Sequence, residues 1–139
     1  MKKLALVAFL SLSALAALAQ VPRTPATQGT ELYIIAPADN ATVTGPVTVR
    51  FGLKGMGVAP AGIQLPDTGH HHLLIDADLP PLDKPIPADA NHVHFGKGQT
   101  ETTLTLAPGK HTLQLILGDH LHIPHQPAVV SQKITITVK

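Results

Sequence analysis

The chain has 139 residues, a formal net charge of +1 and no cysteine. That length suits one domain with one core, and the missing thiols exclude disulfides, thiolate metal centres and a lipid-modified cysteine anchor. Beyond the first nineteen residues nine acids face eight bases, no basic stripe exists, and the aromatics are Tyr33, Phe51 and Phe95 alone. Nucleic-acid binding is thereby excluded.

Lys2 and Lys3 precede an apolar stretch from Leu4 to Leu18, and Ala17-Leu18-Ala19 supplies a small-x-small cleavage pattern. Residues 1–19 therefore read as a secretory signal peptide, with a mature start at Gln20 and a periplasmic or secreted destination. No later apolar run is long enough to span a membrane. Residues 20–30 are rich in Pro, Thr and Gln and read as a flexible leader. The single domain is then 31–139.

From there the pattern is short β-type runs between Pro and Gly. Strands are expected near Leu32–Ile35, Val47–Leu53, His71–Asp76, His92–Phe95, Thr102–Leu106, His111–Leu117 and Val129–Val138. Val47, Val49, Phe51 and Leu53 alternate with Thr48, Arg50 and Gly52, the period of a half-buried strand. Leu113, Leu115 and Leu117 repeat it, as do Ile134, Ile136 and Val138. No helical periodicity appears. About seven short strands predict an all-β, antiparallel Greek-key sandwich of immunoglobulin-like type, with a cupredoxin-like barrel as the near alternative.

The chain carries nine histidines. His111 stands alone, and its register on the Leu113 face predicts a structural role. The others fall in three clusters: His70-His71-His72, His92-x-His94, and Asp119-His120-Leu121-His122-Ile123-Pro124-His125. Strands of a sandwich alternate in direction, so the start of the third strand, the end of the fourth and the loop after the sixth share one end. The three clusters are expected to converge there. In a strand, residues i and i+2 share a face, so each His-x-His pair can present two imidazoles together. The candidate ligands are His70, His72, His94, His120, His122 and His125. His71, His92 and Asp119 are candidates for a supporting or additional ligand role, since metal-bound imidazoles are usually oriented by a second group.

Histidine is the commonest side-chain metal ligand. Without a cysteine a blue-copper centre cannot form, and Met56 is the only methionine after Met1, so a methionine-rich Cu(I) site is excluded. Gln20-Val21-Pro22 offers no amino-terminal copper chelate. An imidazole or imidazole–carboxylate site for Cu(II) or Zn(II), with Ni(II) also compatible, is what remains. Bound metal should stabilise the fold, and the gain should vanish as pH falls through the histidine range.

Catalytic signatures are missing. There is no Gly-x-Ser-x-Gly or His-Glu-x-x-His, and Ser131 is the only serine after the signal. Binding of copper or zinc is the leading expectation. A protein-interaction or pH-sensing module is the alternative, and a metal-dependent hydrolase the third.

The stretches Thr68-Gly-His-His-His-Leu-Leu-Ile-Asp76, His94-Phe-Gly-Lys-Gly-Gln-Thr100 and Pro108 to His125 resemble an uncharacterised bacterial family, domain of unknown function 4399. The resemblance covers most of the mature chain. It implies a small exported β-domain, often periplasmic, and brings with it no established activity and no assigned site residues.

Overall fold

The computed structural model describes residues 21–139. The signal peptide and its cleavage point before Gln20 lie outside these residues. Nine strands follow in order: β1 (Glu31–Ala36), β2 (Thr42–Val43), β3 (Val47–Lys54), β4 (Gly57–Val58), β5 (Thr68–Ile75), β6 (His92–His94), β7 (Glu101–Leu104), β8 (Gly109–Gly118) and β9 (Ile134–Val138). Among the described residues there is no helix, and so none long and apolar enough to cross a membrane. The seven expected strands are all present. Two two-residue strands, β2 and β4, are additional, and both pair in parallel.

One sheet has the order β1-β3-β7. The other runs β2-β9-β8-β5, with β4 and β6 both pairing with β5. The strand expected fourth, β6, lies beside β5. The long pairings are antiparallel. This is an immunoglobulin-like sandwich.

The inner faces follow the alternation in the sequence. Val47, Val49 and Phe51 from β3 meet Leu113, Leu115 and Leu117 from β8, Leu73 and Ile75 from β5, and Ile134, Ile136 and Val138 from β9. Each fully buried aliphatic side chain stabilises the fold by roughly 1.5–3 kcal/mol. Alternation fails in β5, where Gly69 to Ile75 are buried without a break. Leu74, Ile86 and Ile116 form a second cluster on the outer face, closed by Ala77, Leu82 and Val130. The loop from Asp76 to Asn91 therefore covers a face that a free-standing sheet would show to water.

The leader is not loose. Pro25 forms a parallel bridge with Gln126. The backbone N–H of Ala26 donates to the Gln126 carbonyl, and that of Gln126 to the Thr24 carbonyl, at 3.0 and 2.9 Å. Arg23 Nε donates to the Pro124 carbonyl at 3.0 Å, and its other nitrogens reach the His125 carbonyl and Gln126 Oε1. Residues 23–26 thus act as a strap on the β8–β9 loop. The flexible reading rested on composition, which carries no trace of these tertiary contacts.

His111 sits at the opposite end from the other clusters. Its Nδ1 lies 2.7 Å from Asp76 Oδ2 and its Nε2 2.8 Å from the Ala107 carbonyl, while Asp76 Oδ1 accepts from the Thr112 N–H at 2.8 Å. The hydrogen bond to Asp76 raises the His111 pKa. Partial burial pushes Asp76 up, but hydrogen bonds from His111 and Thr112 outweigh it and hold the carboxyl below its ordinary value. A raised histidine stabilises below its unfolded pKa and loses this as pH rises through the folded one. A lowered carboxylate stabilises above its unfolded pKa and loses this on acidification. The pair therefore contributes most between about pH 4 and 7. His111→Ala should cost about 1 kcal/mol at pH 6, discounted for the solvent around Asp76, and less at pH 9. Urea unfolding at both pH values checks this; equal losses would contradict it.

Candidate metal centre

Gly69, His71, Leu73 and Ile75 point between the sheets, so His70, His72 and Leu74 point outward under the covering loops. His70 and His72 are 1% exposed. On β6, His94 stands directly opposite His72 in register. On β8, Gly118 stands opposite His70, so the loop that follows begins beside it. Gly118 presents no side chain here; a Cβ would come within 2.9 Å of His72 Nε2.

The loop delivers one further imidazole. Asp119 Oδ1 accepts from the N–H groups of Leu121 and Ile123 at 2.9 and 3.0 Å. The His122 N–H donates to the Asp119 carbonyl, and the His122 carbonyl accepts from Ile86 N–H, at 2.9 and 2.8 Å. These bonds hold His122 in the left-handed region, with φ of 65°. Histidine enters that region uncommonly, and only where its surroundings fix it there.

His70, His72, His94 and His122 each offer a ring nitrogen, and the four nitrogens lie within 4.8 Å of one another. His70 Nε2 is 2.9 Å from His72 Nε2 and 3.2 Å from His122 Nδ1. Five of the six ring–ring centroid distances fall between 4.7 and 5.1 Å, and the sixth, His72 to His122, is 5.9 Å. A tetrahedral ion bound through nitrogen at 2.0–2.1 Å needs ligand atoms roughly 3.3 Å apart.

A ring nitrogen carries either one proton or one lone pair. His70 Nε2 therefore cannot make a full hydrogen bond to both of its neighbours. His72 Nδ1 and His94 Nε2 are buried and have no hydrogen-bond partner. A cation at the meeting point of the lone pairs resolves the conflict at His70. Burial, reinforced by the neighbouring imidazoles, lowers the His70 pKa to about 4 and that of His72 to about 2. Burial and His122 also lower His94. His70 and His72 are thus neutral, ready ligands well below neutral pH.

The remaining candidates fall outside this group. His120 lies partly exposed beside Thr24, Ile63 and Leu65. The i, i+2 rule does not bring it alongside His122, because the loop is a turn and not an extended strand. His92 is two residues along β6 from His94, and its Nδ1 meets Asp89 Oδ1 at 2.9 Å. His125 is fully buried near Gly69, on the other side of β5, where its Nε2–H donates to the Thr68 carbonyl at 3.2 Å. His71 also faces the inner core, with its ring 5.1 Å from Phe51 and both nitrogens without partners. Asp119 accepts from two backbone N–H groups and, at 2.7 Å, from the Thr24 hydroxyl. Its carboxylate orders the loop. An Asp at the start of a loop is a turn signal, because its carboxylate can accept from the backbone N–H two residues on, and this was the available clue that Asp119 shapes the backbone.

A family model described as "Domain of unknown function (DUF4399)" matches residues 49–139. No curated protein matches the chain. Among solved structures, the fibronectin(III)-like modules of Clostridium thermocellum CbhA are similar at 12% identity, over 77% of this chain and 92% of that one, with a TM-score of 0.37.

Proposed function

We propose that this chain, which belongs to the DUF4399 family, is an exported protein that binds a divalent transition metal, zinc or copper, through His70, His72, His94 and His122. The observation that carries this reading is the convergence of four ring nitrogens within 4.8 Å in a partly buried setting. Near-equal spacing of the rings favours a tetrahedral ion. A square-planar Cu(II) site would set two diagonals well apart from four sides, and here one distance alone stands out. Zinc is therefore the preferred occupant. Four imidazoles complete a tetrahedral shell and leave no position for an activated water, so the reading is binding rather than hydrolysis. Export rests on the N-terminal signal pattern of residues 1–19.

The experiment is metal analysis of untagged protein produced with its signal sequence, before and after reconstitution with Zn(II) or Cu(II). One tightly held equivalent per chain is expected. Retention of no metal after reconstitution and desalting would sink the proposal.

A further inference from the structure

Resting on that reading, we propose that Thr24 is a positioning residue for the metal centre: acting through Asp119, it holds His122 in place as the fourth ligand. Three of the ligands sit on strands, and their places follow from sheet register. His122 does not. Its backbone occupies the left-handed region in a loop whose inner bonds converge on the Asp119 carboxylate. That carboxylate is 2% exposed. One oxygen is committed to the loop itself. The other receives the Thr24 hydroxyl at 2.7 Å, across 95 residues of sequence.

Arg23 fastens the same segment from the other side. Its guanidinium spans the carbonyls of Pro124 and His125 and the Gln126 side chain. The strap thus grips the loop both before and after His122, yet none of its side chains belongs to the ligand group. A carboxylate whose bonds are all directed is a rigid pivot. With its Thr24 bond removed it can rotate, and the Leu121 and Ile123 N–H groups that set the turn lose their fixed acceptor. His122 then swings, and the ion keeps three strand imidazoles and takes up solvent.

Cobalt(II) reports this directly. Four-coordinate Co(II) absorbs strongly in the visible; exchanging one imidazole for a water moves the bands, and expansion to five or six ligands also weakens them. The wild-type protein should give the intense tetrahedral spectrum. Thr24→Val should shift or dim that spectrum and bind Zn(II) about 10–100-fold more weakly, the usual effect of removing a supporting group. Thr24→Ser should restore both. Asp119→Asn should keep the spectrum, because the amide can still accept from the loop and donate to Thr24. Circular dichroism establishes that each variant is folded. Should Thr24→Val not fold, Arg23→Gln loosens the same strap and should also shift or dim the spectrum.

A folded Thr24→Val with the wild-type spectrum and zinc affinity overturns the proposal and leaves the metal reading standing. An unchanged spectrum in Arg23→Gln, where that variant has to be used, does the same. A spectrum lost in Asp119→Asn but kept in Thr24→Val assigns the effect to the Asp119 charge, and again overturns it. A wild-type protein with no cobalt spectrum overturns the metal reading itself and this proposal with it.

Discussion

Zinc added to untagged protein at pH 7.5 should raise the melting temperature by about 5–10 °C. Binding only to the folded state stabilises by RT ln(1 + [L]/Kd), roughly 2.7 kcal/mol at a hundredfold excess over Kd. In a domain of this size that energy moves the transition by several degrees. His70→Ala and His122→Ala should each abolish most of the shift, because each removes a member of the converging group. His120→Ala and His111→Ala should leave it intact, since their rings lie elsewhere. Differential scanning calorimetry across these variants decides. A shift that survives His70→Ala, or disappears in His120→Ala, would place the ion at a different site. The pH dependence departs from the simple expectation for histidine. His70 and His72, with pKa values near 4 and 2, stay neutral in the folded protein where free imidazole is protonated. Proton competition at these two ligands is thereby weakened, so the zinc effect should still be measurable at pH 6.

Without metal, the protein should lose stability steeply between pH 6.5 and 4. Burial lowers His71 to about 4 as well, joining His70 and His72. All three lie below the ordinary histidine value of 6.5. In that interval the unfolded chain takes up protons at these positions and the folded chain does not, so stability falls as pH falls. Three such groups correspond to a slope of about 4 kcal/mol per pH unit at most. Total stabilities of about 5–15 kcal/mol are soon exhausted at that slope, so unfolding is expected near pH 5. Acid titration followed by circular dichroism measures it. His71→Leu should move the midpoint to lower pH and remove about a third of the slope, because a core-facing imidazole with no partners gives way to an aliphatic group. An acid midpoint unchanged in His71→Leu would contradict this.

The legible parts of the site were those fixed by strand periodicity. His70 and His72 share a face because they are i and i+2 on β5, and strand direction alone brings β6 and the β8–β9 loop to the same end. The same rule overcounts elsewhere. His92 and His94 share a face, but only His94 is in register with His72, and His92 turns to Asp89 instead. His120 and His122 look like a strand pair in the sequence, yet Asp119 curls the chain between them. The strap was illegible for a different reason: its bonds join residues 95 to 103 positions apart, and nothing local in Arg23-Thr24-Pro25 announces them. The double burial of β5 was half visible. An unbroken apolar run such as Leu73-Leu74-Ile75 marks a strand covered on both faces, though not which loop supplies the cover.

The four imidazoles come from three segments of the chain, and His70 and His122 are 52 residues apart. An ion shared among them is a cross-link. Closing a loop of that length restricts the unfolded chain by roughly 4 kcal/mol on the chain-entropy model used for disulfides. Small exported domains commonly obtain such a staple from cysteine pairs, and this chain has no cysteine. A metal staple answers to different chemistry. It holds no disulfide for a reductant to break, no oxidase is needed to install it, and it opens to a chelator or to acid. Metal supply in the compartment, in place of redox poise, would then set how tightly this domain is tied.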